Sequence, residues 1–453
     1  MTNRQNPPLR AEGLEKLGKL TLASYPDILD VLADIYSAVA RTNAELGVLK
    51  SEKASAIEKA SQSLRKEKIP AQTPIYGILG RPFYRNFALE LAKKATSPTL
   101  SVSLDDLERN CATADITATL LNCIALRMLR KNIDAARKTA QALHAKAQEF
   151  GTIVKCARSS LQDGFPIFLA EDFHARACGF ERIAGRLEKA LDEFCVSLLG
   201  VGNEGTALDT DDGFIKAAAT QLSAVTGFPF VSSRNPMDGL AAVDSLIYAH
   251  GLIKSLAVHY WKTMHDFVLM ASGPRGGIRE IALPAVAPGS SIMPGKVNPT
   301  MAQLGALIAD GVASADTAAT AGAMSGWFSE GMRQSTVVKA LLDSGNLLER
   351  VMLKNIEKLI SGIAAQPNYS EREAAHSQAL LLVVQKVLGP DVADRLHARI
   401  QKEPLTVREA LKKEALLTDE RIQTLTDLKT LATPGENTRM IRHLRTLISK
   451  EKP

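Results

Sequence analysis

"DITATLLNCIALRMLRKNIDAARKTAQALHAKAQEF", Asp115–Phe150, runs 36 residues without a glycine or proline. At 3.6 residues per turn that is about ten helical turns. Leu120, Ile124, Met128 and Ile133 drift around one face at roughly helical spacing. Further long helical patterns cover Phe180–Leu199, Met237–Met270, Thr300–Met324 and Thr336–Ala364. Helices of this length point to a bundle or an oligomeric helical core, and so to an all-α fold. The segment "MAQLGALIADGVASADTAATAGAMSG", Met301–Gly326, is rich in small residues and poor in charge. Small side chains let helix backbones approach closely, which predicts a place at the bundle centre.

Before this block, Tyr25–Lys66 reads as two helices meeting near "ELGVLKSEKA", and "KIPAQTPIYGILGRP", Lys68–Pro82, as an extended loop. After it the periodic segments shorten. "PNYSEREAAHSQALLLVVQKVLG" reads as one helix with Gly389 as its C-cap. "PLTVREALKKEALLTDERIQTL" reads as two, N-capped by Thr406 and Thr418. The domain expectation is therefore 1–112 mainly helical, 113–366 the long-helix bundle, and 367–453 a small helical domain.

Composition narrows the function classes. Across 453 residues, 45% are hydrophobic, 23% charged and 5% aromatic, ordinary for a globular enzyme and poor for a sheet sandwich. A net charge of +6 comes from interleaved signs, and the densest basic patches, Leu64–Lys68 and Arg127–Lys131, lack interleaved aromatics. No nucleic-acid partner is expected; a mild positive field suits a small anionic substrate. Five cysteines without C-x-x-C spacing argue against a disulfide framework and a zinc site. The amino-terminal "MTNRQNPPLR" lacks an apolar core, and no uncharged apolar run approaches the ~20 residues of a membrane span. A cytoplasmic protein without a membrane partner is expected.

Between Ala271 and Pro299 lie five glycines and five prolines. Within this stretch Ser290, Ser291, Lys296 and Asn298 crowd into nine residues, a density typical of a binding loop or lid. These residue types suit β-elimination beside a carboxylate. Removing a proton from the adjacent carbon puts a second negative charge on that group, which a preorganised cation and hydrogen-bond donors must stabilise. Lys296 supplies charge and Asn298 a directional donor. Backbone N–H groups around "GSS" can form an anion nest and lower the hydroxyl pKa of a serine acting as base.

"GSSIMPGKVNPT", Gly289–Thr300, resembles the signature loop of the aspartase/fumarase superfamily, closest to its class II fumarase and aspartase branch. "LMASGPRGGIREIALP", "TGFPFVSSRNPMDGLAAVDSLIYAHG", "ARSSLQDGFP" and "PLTVREALKKEALLTDERI" are similar to the same branch, in register from about Pro26 to about Thr426. The resemblance implies a three-domain all-α fold, a homotetramer built on a central helical core, and active sites shared between subunits. It also implies a small carboxylate substrate and neither metal nor organic cofactor. By position in the loop, Ser290 corresponds to the base, Lys296 and Asn298 to carboxylate ligands, and Ser291 to a donor for the developing dianion.

Two other segments depart from the family pattern. Where aspartases and fumarases carry a Thr-His pair that helps bind the leaving group, this chain has Ser159 and Ser160. The Ser-Ser/Thr-Asn-Asp segment appears as "ATAD", keeping Thr113 and Asp115 but placing Ala114 where asparagine is usual. The glycine-threonine loop reads "GRPFYRN", bringing Arg81 and Tyr84 toward the substrate side. The groups kept take the proton and hold one carboxylate; the groups lost bind the leaving group and the second carboxylate. A buried polar partner lost without replacement costs about 1–3 kcal/mol, so a bulkier leaving group is expected, for example a trimethylamine from a betaine. An ordinary aspartate ammonia-lyase or fumarate hydratase and a non-catalytic crystallin-like relative are the alternatives. His250, His259 and His265 are read as structural, Trp327 as core, and Glu330 and Arg333 as replacement acid candidates.

Overall fold

The computed structural model describes residues 26–65, 81–324 and 334–450, with the side chains of 81–86, 334 and 335 excluded. Trp327, Glu330 and Arg333, and the side chains of Arg81, Tyr84 and Asn86, lie outside the described residues. The described chain is all-α, with strands confined to three two-stranded pairs. No helix among the described residues is long and apolar enough to cross a membrane.

In chain order the elements are α1 (Pro26–Glu45), α2 (Ser51–Leu64), α3 (Arg81–Ala95), α4 (Leu104–Glu108), α5 (Thr113–Phe150), β1 (Val154–Ser159), β2 (Gln162–Phe168) and α6 (Leu169–Lys189). Then come α7 (Leu191–Phe194), β3 (Val196–Ser197), α8 (Phe214–Thr226), β4 (Val231–Ser232), α9 (Pro236–Ala241) and α10 (Asp244–Met270). After β5 (Ile281–Ala282) follow α11 (Thr300–Ala323) and α12 (Gln334–Lys358). The chain divides into two compact units, one of Met1–Ala135, Ile183–Val258 and Ile308–Arg350, the other of Ala136–Arg182, His259–Leu307 and Val351–Pro453.

In the first unit α1 packs against α2 and α8 and is apolar nearly all round, with Ile28, Val31, Leu32, Ile35 and Tyr36 buried. Its buried acids are answered by the basic run of α5. Arg127 bridges Asp30 and Asp34 at 3.2 and 2.7 Å, and Lys131 reaches Asp27 at 2.5 Å. Arg65 also pairs with Asp34. These cations of the two basic patches thus hold helices together. Deeper in the bundle, the fully buried His250 ring contacts Asp316 Oδ1 and Ser344 Oγ, each at 3.0 Å, and Lys254 pairs with the same Asp316.

In the second unit α5 and α6 flank the β1–β2 hairpin. The hairpin closes through Ser160 and Leu161, both with positive φ (50° and 60°), between the paired Ser159 and Gln162. Two consecutive left-handed residues define the tight turn whose twist matches an antiparallel pair. Pro367–His376 packs on β1. Beyond it Val383, Val384, Leu396, Leu411, Ile422 and Leu444 form one apolar cluster. Thr406 and Thr418 accept the backbone N–H of Glu409 and Arg421, and cap their helices as the sequence predicts.

Three expectations need correction. The helical pattern Met237–Met270 is interrupted at Ala242, which is extended (φ −68°, ψ 130°) between two helices; apolar residues on both sides preserve the periodicity. α6 starts at Leu169, well before Phe180, because β2 feeds straight into it. The segment after Pro367 is broken at Ser377, whose hydroxyl donates to Gly164 O at 2.9 Å and accepts from the Ala379 N–H; Gly389 ends the second piece, as expected. In the single chain α11 buries one stripe, Ala302, Ala306, Ala309, Val312 and Ala319, while Leu304 and Leu307 are exposed. On that stripe the close approach does occur: a Cβ on Gly305 would meet Tyr260, Met264 and Asn355 at 2.9 Å.

Candidate active site

The segment after α10 enters the second unit's polar core before turning outward. Glu280, 1% exposed, receives Arg158 on one oxygen and has Lys155 Nζ 2.9 Å from the other. Lys155 also pairs with Asp172 at 2.8 Å. Arg176 pairs with Asp172 and, at 2.9 Å, with Asp266. The network ties the start of the signature loop to β1, whose last residue is Ser159, and to α6. Backbone bonds from Glu280 N–H to Met270 O and from Gln366 N–H to Glu280 O fix the same point.

From there Pro288–Val297 forms an irregular, largely exposed loop that closes on itself. Gly289 lies so near the Lys296 backbone that a Cβ would stand 1.6 Å from Lys296 O. The Asn298 side chain donates to Gly289 O at 2.6 Å and clamps the neck. At the turn, Ser290 Oγ accepts the N–H groups of Ile292 and Met293 at 3.2 and 3.1 Å. Two peptide dipoles aimed at one hydroxyl oxygen favour negative charge there. Lys296 makes no ion pair among the described residues, and Ser291 is exposed. The neck makes a direct prediction. Gly289→Ala should misplace Ser290 relative to Lys296 and lower kcat/KM by about 100-fold, the cost of an ångström of misplacement. The urea midpoint should stay put, since the loop is outside the core.

Ser159 and Ser160 sit exposed at the hairpin tip, in the same unit as the signature loop. Thr113 and Arg81 belong to the first unit. Thr113 opens α5 and Arg81 opens α3. The residue after Thr113 brings a polar group that the sequence did not reveal: Asn203 Oδ1 accepts the Ala114 N–H at 3.3 Å. An amide is thus supplied from the 200–209 loop beside the position that lacks the expected asparagine. Only spatial proximity could have shown it.

Asp115 holds these two pieces together. Fully buried, it accepts the N–H of Ala112 (3.0 Å), Gly200 (3.2 Å) and Gly202 (3.1 Å). Burial raises its pKa, the surrounding backbone donors lower it, and burial wins, leaving it at about 7. Burial and the neighbouring Asp115 also push the Cys111 thiol up. A carboxyl raised in the folded state takes up a proton on folding, so its stabilising effect is complete below its unfolded pKa and lost as pH rises through about 7. Asp115→Asn, neutral at every pH, should remove a stability slope of up to about 4 kcal/mol between roughly pH 4 and pH 8. Urea unfolding at both ends of that range measures it.

Two cavities, of about 450 and 430 Å³, contain no residue of the signature loop. One is lined by the C-terminal helices, the other by α5 and residues 231–246.

The chain thus presents a long-helix fold with a serine-centred anion nest, a lysine and an asparagine on one loop. Residues 27–313 match the lyase family. The class II fumarate hydratase of Ralstonia nicotianae is 31% identical over 85% of this chain and 86% of its own. The fumarate lyase:delta crystallin of Brucella melitensis, solved bound to cobalt, superposes with a TM-score of 0.85 at 26% identity over 91% of this chain and 92% of that one. The class II fumarase of Schistosoma mansoni shares the fold, with a TM-score of 0.83 at 23% identity over 90% and 91%. The chain belongs to the aspartase/fumarase superfamily of lyases.

Proposed function

We propose that this lyase performs β-elimination on a small carboxylate, Ser290 taking the proton from the carbon beside the carboxylate and Lys296 with Asn298 holding that group. The observation that carries the reading is the pair of backbone N–H groups on Ser290 Oγ. A serine hydroxyl is a weak base unless its alkoxide is stabilised, and oriented peptide dipoles provide that stabilisation. Asn298 exchanges its bond to Gly289 O for the substrate carboxylate as the loop closes, so binding and closure are one step. Thr113, Ser159, Ser160 and Arg81 contact the rest of the substrate, and Ser291 the dianion.

The leaving group is a bulky amine. The exposed hairpin tip offers two hydroxyls and no imidazole, which leaves room without a titrating partner for a small amine or hydroxyl. The active unit is a homotetramer in which different subunits complete each site. In the second unit Trp261 on α10 and Leu304 and Leu307 on α11, and in the first Val258 on α10 and Leu347 on α12, are exposed in the single chain, and apolar helical positions of this kind are covered by association.

A second reading, hydration of fumarate, is favoured by the 31% identity to a class II fumarate hydratase. One screen separates the two. Purified protein and a Ser290→Ala control receive malate, aspartate, argininosuccinate, adenylosuccinate and betaine-type carboxylates, followed by ultraviolet absorbance and mass spectrometry. Serine-dependent release of a bulky amine supports the first reading. Serine-dependent turnover of malate establishes the second, and turnover of nothing overturns both.

A further inference from the structure

We propose that His144, His174 and Cys178 form a zinc site that staples α5 to α6, separate from the elimination chemistry. One donor atom from each of the three lies within 4.8 Å of the others. His174 and Cys178 stand four residues apart on α6, hence on one helix face, and Cys178 Sγ is 3.6 Å from His174 Nε2. Tetrahedral zinc, with Zn–N about 2.0–2.1 Å and Zn–S about 2.3 Å, separates adjacent nitrogen and sulfur donors by about 3.6 Å. His144 comes from the last two turns of α5, and its Nδ1 is 3.1 Å from His174 Nδ1, the rings tilted at 49°; with His174 coordinating through Nε2, zinc takes the place of that ring-to-ring contact on the His144 lone pair.

A fourth side chain supports the assignment independently. Glu181, three residues beyond Cys178 on the same face, lies 3.0 Å from His144 Nε2. A carboxylate accepting the Nε2 proton leaves the Nδ1 lone pair directed at His174 and Cys178, the outer-shell arrangement that orients and strengthens a histidine ligand. Two imidazoles and a thiolate are a strong donor set for Zn²⁺. The exposure of His174 leaves the fourth position to water. The donor atoms already lie within 4.8 Å of one another, and rotation of the side chains closes them on the metal. On binding, the Cys178 proton passes to solvent and both imidazoles coordinate as neutral ligands.

The site closes a structural loop. α5 ends at Phe150, the hairpin spans Val154–Phe168, and α6 starts at Leu169, so a metal bridging the helices fastens the base of the hairpin that carries Ser159 and Ser160. The sequence, read for C-x-x-C spacing, pointed away from zinc; the pattern that matters is His-x-x-x-Cys with a distant histidine.

The test uses tag-free full-length protein, stripped with chelator and titrated with Zn²⁺ by calorimetry, then with Co²⁺ as a spectroscopic stand-in. The expected result is one ion per chain at micromolar half-saturation, with thiolate-to-cobalt charge-transfer absorption and d–d bands of tetrahedral intensity. Cys178→Ser should abolish the charge-transfer band, His174→Ala should weaken binding more than 10-fold, and Glu181→Gln should weaken it about 10-fold. Zn²⁺ should raise the melting temperature of the parent but not of the His174→Ala/Cys178→Ser double variant. Circular dichroism confirms that each variant is folded. A charge-transfer band that persists in Cys178→Ser, or saturation only at millimolar metal, overturns the proposal.

Discussion

Ser290→Ala should lower kcat by about 1,000-fold on whichever carboxylate the enzyme turns over, the middle of the range for removing a positioned base. KM should move little, because the carboxylate contacts of Lys296 and Asn298 remain. The hydroxyl oxygen accepts the Ile292 and Met293 N–H groups at 3.2 and 3.1 Å, and this loop is exposed. Water therefore replaces the lost acceptor, and the unfolding midpoint should stay within error of the parent. Ser291→Ala separates the two serines. A donor to the dianion contributes mainly in the transition state, so its loss should cost about 10²-fold in kcat. A deuterium label on the carbon being deprotonated adds a sharper reading: Ser290→Ala should show a larger isotope effect than the parent, as proton removal becomes rate-limiting. A Ser290→Ala enzyme with near-parental kcat, beside a crippled Ser291→Ala, would reassign the base to Ser291.

The contrast between what the sequence discloses and what it hides is sharpest along α5 and the hairpin that follows. The helix is legible because 36 residues without glycine or proline carry apolar positions at helical spacing over a length that strands do not reach, and it spans Thr113–Phe150. The adjoining hairpin is not, because its turn uses Ser160 and Leu161 in left-handed backbone, where asparagine or glycine would have announced it. The Ser290–Asn298 cluster is visible because its residues are consecutive. Asn203 beside Ala114 and Glu181 beside His144 are invisible because each pairs residues far apart in the chain. Charge shows the same division. The Arg127–Lys131 patch reads as a surface run, yet Arg127 and Lys131 answer buried aspartates of α1, which only packing reveals. Sequence periodicity reports which face of an element is buried; it does not report what lies opposite.

Glu280→Ala should destabilise the fold by about 3–5 kcal/mol, the cost of breaking a buried ion pair by deleting one partner. Glu280 is 1% exposed, and its removal would leave Lys155 with Asp172 at 2.8 Å but Arg158 with only Asp163 at 3.6 Å. The guanidinium would then be largely uncompensated in a site where its side chain is 15% exposed. Glu280→Gln keeps the volume and an acceptor for Arg158 while losing the charge, and should cost about 1–3 kcal/mol. Added salt should not erase the difference, since screening acts on solvent-exposed pairs. Function should follow stability here for a geometric reason: Arg158 immediately precedes Ser159, and Glu280 opens the segment leading to Ser290. Loosening their link should raise KM at temperatures where the protein remains folded. An Arg158→Leu variant and the Arg158→Leu/Glu280→Ala double variant complete a cycle whose coupling energy isolates the pair. If Glu280→Ala costs less than about 1 kcal/mol, the desolvation of these charges already offsets their attraction. In that case the network serves to fix the hairpin's position against the loop more than to stabilise the fold, and the change in KM without a change in stability would show it.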